Sequence, residues 1–232
     1  MRAQLSVVIP TLNAESELPA LAAGLMEGVQ TGLIRELVVS DGGSTDGTLL
    51  IAVDLGARVV QGAPSRGGQL RRGANAASGA WLLFLHADSA LPDGWTQVVS
   101  AQMAQGGPAY FKLAFNATGL APRLVAGWAN VRARVFALPY GDQGLLISRK
   151  TYDAAGGFPD IPLMEDVALA RALARTPGAR PVDLPLAIRT SAARYQRDGW
   201  LRRGARNLWL LIRYLAGADP TALARAYRAP RT

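Results

Sequence analysis

The segment 81–88, with the sequence WLLFLHAD, joins an apolar run to the chain's one histidine and to an aspartate. An uninterrupted apolar run of this length predicts a strand that is buried on both faces of a sheet. His86 and Asp88 then lie at the carboxyl end of that strand, where open α/β sheets bind their ligands. An imidazole and a carboxylate at this edge can hold a divalent metal ion, or they can simply hydrogen-bond at a strand end and cap the next loop.

Polar loops follow two other predicted strands, at 10–15 (PTLNAE) and 41–48 (DGGSTDGT). Asp41 is suited to accept a hydrogen bond from a ribose or a base, and Gly42 lets the backbone approach a ligand closely. The Ser, Thr and Asp residues that follow can cap a helix whose N-terminus favours anions. The same residue types are usual in turns, so a binding loop and a plain turn both remain open. The loop lacks the glycine spacing of a dinucleotide fingerprint and the lysine of a P-loop.

Two arginines are candidates for phosphate binding. Arg66 stands in a turn that leads into a predicted helix and can reach a diphosphate or a base edge. Arg194 follows the last predicted strand and can neutralise a departing phosphate. A solvated surface arginine is the alternative for each.

Acidic side chains follow in the second half of the chain. Glu165 and Asp166 begin a predicted helix, either as a general base for an acceptor hydroxyl or as ordinary partners of the helix dipole. Asp142 and Gln143 lie in a glycine-flanked loop that is a candidate for the leaving-group or acceptor side of the same site.

Apolar strand patterns alternate with helical periodicity four times in the first half of the chain, which predicts βαβ units and a mostly parallel sheet. We expect residues 1–195 to form one α/β domain, and residues 196–232 to form a helical extension of it. The predicted strands are 5–10, 36–40, 57–60, 81–85, 109–115, 144–148 and 182–188. The predicted helices are 15–30, 46–55, 66–77, 93–105, 120–138 and 165–175, with one long and one short helix in 197–228.

Composition narrows the function classes. Half of the 232 residues are hydrophobic and 18% are charged, which indicates a folded globular chain. The absence of cysteine excludes disulfides, thiolate metal sites and cysteine nucleophiles. The net charge is +8, and all cationic side chains except Lys112 and Lys150 are arginines. This excess fits an anionic substrate, a membrane surface or nucleic acid, but a genome that favours arginine codons explains it without any such partner and is the favoured interpretation. Because no nucleic-acid motif is recognisable, we expect no nucleic-acid partner.

The segment 197–217 mixes tryptophan and leucine with arginine at helical spacing. Such a basic amphipathic helix can lie on an anionic membrane, or pack on its own domain or on a second subunit in a homodimer. Apolar stripes of this kind are typical of packed helices, so packing is favoured. No leader and no membrane-spanning run is visible, so we expect a cytoplasmic protein, with the inner face of the membrane as the alternative.

Taken together and in order, these motifs resemble those of the family 2 glycosyltransferases, which have the GT-A fold. The resemblance covers about residues 4–195. It rests on five motifs, namely Thr11-Leu-Asn-Ala-Glu15, the loop 41–48, Arg66-Gly-Gly-Gln69, His86-Ala-Asp88 and Glu165-Asp166.

The resemblance implies an inverting transfer of a sugar from a nucleotide diphosphate donor, most commonly a UDP-sugar, to an acceptor hydroxyl, with Mn²⁺ or Mg²⁺ bound. Asp88 would match the last acid of the family's Asp-x-Asp metal motif. Asp166 would match the catalytic base, with Glu165 beside it. The residues implied at the nucleotide are Thr11, Asn13, Glu15, Asp41, Gly42, Arg66 and Gln69.

One residue departs from the family pattern, because His86 stands where the first acid of the metal motif is expected. Imidazole would shift the preference from Mg²⁺ towards Mn²⁺ or a later transition metal. Alternatively, the metal binds weakly and Arg194 does more of the leaving-group work. The motif with histidine resembles a small bacterial subgroup that is often labelled as arsenosugar-biosynthesis or selenium-associated transferases, although nothing in the sequence itself points to arsenic or selenium.

Two other functions remain open. A sugar-phosphate nucleotidyltransferase shares the scaffold but needs a basic, glycine-rich first loop, which residues 10–15 lack. A non-catalytic nucleotide- or sugar-binding protein would account for His86, but the acids at positions 41, 88 and 166 argue against it.

Overall fold

A seven-stranded sheet forms the centre of the computed structural model, which describes residues 3–228. In chain order the strands are β1 (Leu5–Thr11), β2 (Ile34–Asp41), β3 (Arg58–Gln61), β4 (Trp81–Phe84), β5 (Ala109–Phe115), β6 (Leu145–Ser148) and β7 (Val182–Thr190). Their spatial order is β3-β2-β1-β4-β6-β5-β7. Strand β6 runs antiparallel to both of its neighbours, while the other pairs are parallel. The expected mostly parallel α/β sheet is confirmed.

Helices cover both faces of the sheet. They are α1 (Leu18–Gln30), α2 (Thr48–Asp54), α3 (Arg66–Ala76), α4 (Trp95–Gln105), α5 (Leu120–Phe136), α6 (Arg149–Ala154), α7 (Glu165–Arg175), α8 (Ala193–Asp198), α9 (Trp200–Leu215) and α10 (Pro220–Arg228). Helices α1 and α4 pack in one apolar core cluster, and α3 and α7 pack in the other. The central strands are therefore buried on both sides, which is why their sequences read as continuous apolar runs.

Strand register brings the polar strand ends together. Thr11 at the end of β1 pairs with Asp41 at the end of β2, and Val8 pairs with Phe84 of β4. Because parallel strands end at one edge, the loops after β1, β2 and β4 meet there. The loop after β4 carries His86 and Asp88.

The helix boundaries differ from the predicted ones where the local backbone departs from helical geometry. Helix α1 begins at Leu18 rather than near residue 15, because Asn13 has a left-handed backbone (φ 52°) and the loop before α1 bonds to the loop after β2. Helix α5 ends where Ala137 adopts φ 51°. The sequence patterns missed two short helices, α6 and α8, and Gly199 (φ 83°) separates α8 from α9.

The C-terminal helices pack against the domain through one face. Leu210 and Leu211 of α9 join Val167 of α7 and Leu223 of α10 in a separate apolar cluster. The expected packing of this segment holds for its inner face only, because Leu201, Leu208, Trp209, Ile212 and Leu215 of α9 are exposed. Within residues 3–228, no helix has the length and apolar character that crossing a bilayer requires.

Candidate active site

A cleft of about 980 Å³ opens at the carboxyl edge of the sheet. A smaller cavity of about 130 Å³ continues from it towards α7. The predicted site residues that line the large cleft are Thr11, Asn13, Arg66, Gln69, His86, Asp88 and Arg194. Those that line the small cavity are Arg66, His86, Asp88, Asp142, Glu165, Asp166 and Arg194. Four residues are common to both, so one continuous site contains most of the predicted set.

The loops after β1 and β2 are interlocked by hydrogen bonds. The backbone N–H of Thr45 donates to Asn13 Oδ1 at 2.9 Å, and the N–H of Asn13 donates to Ser44 Oγ at 2.8 Å. Glu15 Oε2 accepts from the N–H of Gly47 at 2.8 Å. Asn13 and Glu15 therefore hold the second loop in place, and Asn13 also faces the cleft.

Asp41 is fully buried beneath this pair of loops. Its oxygens accept from Thr11 Oγ1 at 2.9 Å and from the N–H groups of Gly43 and Ser44 at 2.7 and 2.8 Å. Burial alone would raise its pKa, but the hydrogen bonds from Ser44, Gly43 and Thr11 outweigh burial and leave the pKa below the usual value. Asp41 shapes the loop, and it is not among the residues that line the cleft.

Gln69 on α3 ties the two central strands together at the base of the cleft. Its Nε2 donates to the carbonyl of Thr11 at 2.7 Å and to that of Ser40 at 3.2 Å. Gly42 lies against this amide, since a Cβ there would come within 3.0 Å of Gln69 Cδ. A Cβ at position 42 would therefore crowd the Gln69 amide.

His86 and Asp88 face the cleft from the loop after β4. Thr190 Oγ1 donates to Asp88 Oδ2 at 3.2 Å, and His86 Nε2 lies 3.3 Å from a guanidinium nitrogen of Arg66. A guanidinium can only donate, so Nε2 is the acceptor. Burial, followed by the positive charges of Arg66 and Arg194, lowers the pKa of His86 to about 3 and keeps the imidazole neutral.

The donor set fits a metal ion that a nucleotide would help to hold. Across the part of the chain that the structure describes, no group of three or more His, Cys, Asp or Glu side chains could hold a metal ion by itself. Mg²⁺ at nucleotide sites is commonly held by one or two carboxylates together with substrate phosphates. Asp88 provides one such carboxylate, and His86 would provide an imidazole nitrogen in place of its contact with Arg66, which leaves the remaining positions to phosphate oxygens and water.

Arg66 links this edge to the acidic pair at the start of α7. Its Nε lies 3.4 Å from Glu165 Oε1; Arg66 is 40% exposed towards the cleft, whereas Glu165 is 1% exposed. Among the described residues, Glu165 Oε2 has no hydrogen-bond partner. Burial raises the pKa of Glu165. The positive charge of Arg66 lowers this pKa, but by less than burial raises it.

Asp166 is held by two backbone groups. Its Oδ2 accepts from the N–H of Gly141 at 2.9 Å, and its Oδ1 accepts from the N–H of Val167 at 2.7 Å. Met164, just before the acidic pair, has a left-handed backbone with φ 66°. Such strained residues persist where their surroundings impose them, often at functional sites. This turn begins α7 and aims Asp166 into the small cavity.

Asp142 and Gln143 have different positions in the same loop. Asp142 lines the small cavity, and within residues 3–228 its buried Oδ1 lacks a hydrogen-bond partner. Gln143 is fully buried behind the cavity, where its Nε2 donates to the carbonyl of Phe111 at 3.2 Å and its Oε1 accepts from the N–H of Tyr140 at 3.3 Å. Gln143 therefore positions the loop that presents Asp142.

The unpartnered carboxyl of Asp142 predicts a specific dependence of stability on pH. Burial raises its pKa to about 6. The folded state then binds more protons than the unfolded state between about pH 4 and 6, so this group makes the protein less stable as pH rises through that window. We compare the unfolding free energy of Asp142→Asn with that of the wild type, both in EDTA. Relative to the wild type, the variant should gain on the order of 2 kcal/mol in unfolding free energy between pH 4 and pH 7. Urea denaturation at both pH values measures it, and parallel pH profiles would contradict the assignment.

Several residues that line the small cavity were not predicted from the sequence. They include Tyr195, Arg203, Asn207 and Tyr227. Arg203 is buried on the inner face of α9, where it donates to Asp198 Oδ2 at 2.6 Å. Arg203 and the buried Leu210 are seven residues apart, so they lie on one face of a helix. This spacing could have indicated from the sequence that Arg203 faces inward.

The glycines after Arg66 allow α3 to meet the loop before α7. A Cβ on Gly67 would come within 1.9 Å of the carbonyl oxygen of Pro159. We expect Gly67→Ala to lower the unfolding free energy by about 3 kcal/mol, because backbone must move. Gly127 in α5 is the matched control, since a Cβ there meets nothing within 4 Å. Gly127→Ala should be stabilising by about 0.5–1 kcal/mol. Equal stabilities of the two variants in urea denaturation would contradict this packing.

Comparison with known proteins identifies the family. The family model described as glycosyl transferase family 2 matches residues 6–135, more than half of the chain. The chain belongs to glycosyltransferase family 2. A PGL/p-HBAD biosynthesis glycosyltransferase of Mycobacterium tuberculosis is 42% identical in an alignment 93 residues long that covers 37% of this chain and 36% of the relative. The match therefore spans about a third of that curated relative.

A second relative links this family member to solved structures. Glucosyl-3-phosphoglycerate synthase of Mycobacterium tuberculosis is 37% identical over 93 residues, covering 36% of this chain and 28% of the relative. Its crystal structure in complex with Mn²⁺, UDP and phosphoglyceric acid aligns with a TM-score of 0.55 at 25% identity, covering 81% of this chain and 69% of that chain. The sheet and its flanking helices are therefore those of the GT-A glycosyltransferases.

Proposed function

We propose that this protein is an inverting glycosyltransferase that moves a sugar from a nucleotide diphosphate donor to an acceptor hydroxyl. The observation that carries the proposal is that two sets of side chains, possible metal ligands and acids, line the same cavity. The metal-type ligands His86 and Asp88 share the small cavity with the acids Asp142, Glu165 and Asp166. Membership of family 2 supports the same reaction class.

The donor nucleotide would occupy the large cleft. The interlocked loops after β1 and β2 form its nucleoside end, with Thr11 and Asn13 facing the ligand and with Glu15, Asp41, Gly42 and Gln69 supporting them. We propose a UDP-sugar, because the solved synthase binds UDP. Asp88 and His86 would hold a divalent ion, with Mn²⁺ favoured by the imidazole; when bound, such an ion neutralises charge on the departing diphosphate.

Arginine side chains add a second source of positive charge at the diphosphate. Arg66 and Arg194 line both the cleft and the small cavity. Arg66 also carries the ion pair with Glu165, so it fixes the start of α7 relative to the donor. Guanidinium groups bind phosphate oxygens in a forked geometry, which suits this position.

Asp166 would act as the general base. The proton of the acceptor hydroxyl passes to Asp166 as the acceptor oxygen forms its bond to the anomeric carbon. The bond from that carbon to the diphosphate oxygen breaks on the opposite face, and the diphosphate leaves with the electron pair. The transition state has oxocarbenium character, as glycosyl transfer generally has. The two backbone N–H groups on Asp166 keep the carboxylate in position. Asp142 faces the same cavity and is proposed to contact the acceptor.

The subgroup resemblance adds no chemistry to this proposal. The His86-Ala-Asp88 motif supports membership of the bacterial subgroup described above, but the proposed transfer needs neither arsenic nor selenium. Residues 1–195 would form the transferase domain, with 196–232 as its helical extension. Arg203 and Asn207 of α9 and Tyr227 of α10 line the small cavity, so the extension is proposed to complete the site.

Slow donor hydrolysis tests both the reaction and its stereochemistry. With Mn²⁺, α-linked UDP-, GDP- and dTDP-sugars are incubated with the protein, and ³¹P NMR follows the release of nucleoside diphosphate. Water attacking from the opposite face gives the β-sugar first, which ¹H NMR detects before mutarotation. A first-formed α-sugar would rule out inversion. Formation of the nucleoside triphosphate and the sugar 1-phosphate when pyrophosphate is added would support a nucleotidyltransferase. No turnover of any donor that binds would support a non-catalytic protein.

A further inference from the structure

Helices α5 and α9 expose an unusual amount of apolar surface. Of the 18 large hydrophobic side chains that are exposed among the described residues, 11 lie on these two helices. The α5 set is Leu120, Leu124, Trp128, Val131, Val135 and Phe136, and the α9 set is Leu201, Leu208, Trp209, Ile212 and Leu215. Contiguous apolar surface on this scale marks an interaction site.

The spacing shows that these side chains form faces rather than scattered positions. On α5 the exposed side chains from Leu120 to Val135 recur every three or four residues, and small buried residues such as Ala126 and Ala133 occupy the opposite side. On α9 the buried Leu210 and Leu211 lie inward, while Trp209 and Ile212 are exposed. The two helices contact each other, so we treat their exposed sides together as the α5–α9 face.

The charged residues on the two helices themselves have one sign. The sequence has no acidic residue between Phe115 and Asp142, and none between Asp198 and Asp219. The exposed charged residues on the two helices are Arg123, Arg134, Arg202 and Arg213. Packing two copies of this face together would bring like charges into contact, which is unfavourable. An anionic partner would instead be attracted.

We propose that the α5–α9 face binds the surface of a bilayer that contains anionic lipid. Helices that combine exposed leucine and tryptophan with arginine bind in this way, with their apolar side in the headgroup region and without crossing the bilayer. Trp128 and Trp209 are each about half exposed, and tryptophan favours the membrane–water interface. Electrostatic attraction to anionic lipid adds to the apolar burial.

Membrane docking would bring the site close to the lipid. The inner side of α9 lines the small cavity through Arg203, Asn207 and Leu210, while its outer side belongs to the α5–α9 face. One helix thus separates the bilayer from the site. This inference rests on surface composition alone and holds whatever reaction the protein catalyses.

Flotation with vesicles tests the proposal on the full chain. We expect the wild type to float with phosphatidylglycerol–phosphatidylcholine vesicles at low salt, to float much less with pure phosphatidylcholine, and to be released by salt. Leu124→Glu on α5 and Ile212→Glu on α9 should each weaken partitioning by about tenfold or more. Leu50→Glu is the matched control, because Leu50 is 73% exposed on α2, outside the face. Circular dichroism and thermal melting establish that each variant is folded.

Three results would overturn the proposal. The first is a wild type that fails to bind anionic vesicles at low salt. The second is binding that Leu50→Glu weakens as much as Leu124→Glu and Ile212→Glu do. The third is a wild-type dimer, seen by light scattering, when none of the proteins binds vesicles. If Leu124→Glu and Ile212→Glu both make this dimer dissociate, a second copy covers the face.

Discussion

Replacing Asp166 with Asn should lower turnover by about a thousandfold while leaving the affinity for the nucleoside diphosphate within about twofold. An amide has nearly the same size as the carboxylate and can keep an oxygen towards the N–H of Gly141, which bonds to Asp166 at 2.9 Å. It cannot take a proton from an acceptor hydroxyl. The loss should therefore fall on kcat, and calorimetric titration of the nucleotide should be almost unchanged.

The control for this variant is Asp153→Asn. Asp153 is an exposed acid on α6, outside the residues that line the cleft and the small cavity. The change should leave turnover and stability as they are in the wild type. An equal loss of turnover and nucleotide affinity in Asp166→Asn would show that Asp166 maintains the site's structure and is not the base.

Replacing Asp88 with Asn should lower kcat/KM by about a hundredfold or more, and it should remove the effect of Mn²⁺ on nucleotide binding. Asp88 is the one carboxylate in the His86-Ala-Asp88 motif, and Thr190 already bonds to one of its oxygens. Without it, only the neutral His86 remains from the motif to hold an ion. The affinity for the nucleoside diphosphate in Mn²⁺ should then equal that of the wild type in EDTA.

Asp93→Asn is the matched control for Asp88. Asp93 is an exposed acid in the segment between β4 and α4. It should retain both turnover and the response to Mn²⁺. If Asp88→Asn keeps a full response to Mn²⁺, the ion is held elsewhere and charge neutralisation passes to Arg66 and Arg194.

The fold and the sheet-edge site were largely predictable from the sequence. Buried strands such as 81–85 have a distinctive apolar pattern, and the polar residues after them must lie at one edge when the strands are parallel. This argument places Thr11, Asp41, His86 and Asp88 at that edge, where the structure has them. It predicts strand ends well because it needs only local pattern and strand direction.

The supporting roles were not predictable in the same way. Asp41 and Gln143 have the residue types of ligand contacts, yet both are fully buried and bonded to the protein's own backbone. Which polar residue faces a ligand and which holds a loop depends on tertiary contacts distant in sequence. The same limit applies to Arg203 and Tyr227, which reach the cavity from the C-terminal helices.

The central claim is that the cleft at the sheet edge binds a nucleoside diphosphate. A thermal-shift titration of the wild type with UDP, GDP, CDP and dTDP, each with Mn²⁺ and with EDTA, tests it most directly. A ligand that binds only the folded state raises the melting temperature by mass action. We predict that UDP stabilises the protein most strongly and that the stabilisation depends on Mn²⁺. No shift with any of the four nucleotides in Mn²⁺ would contradict the claim.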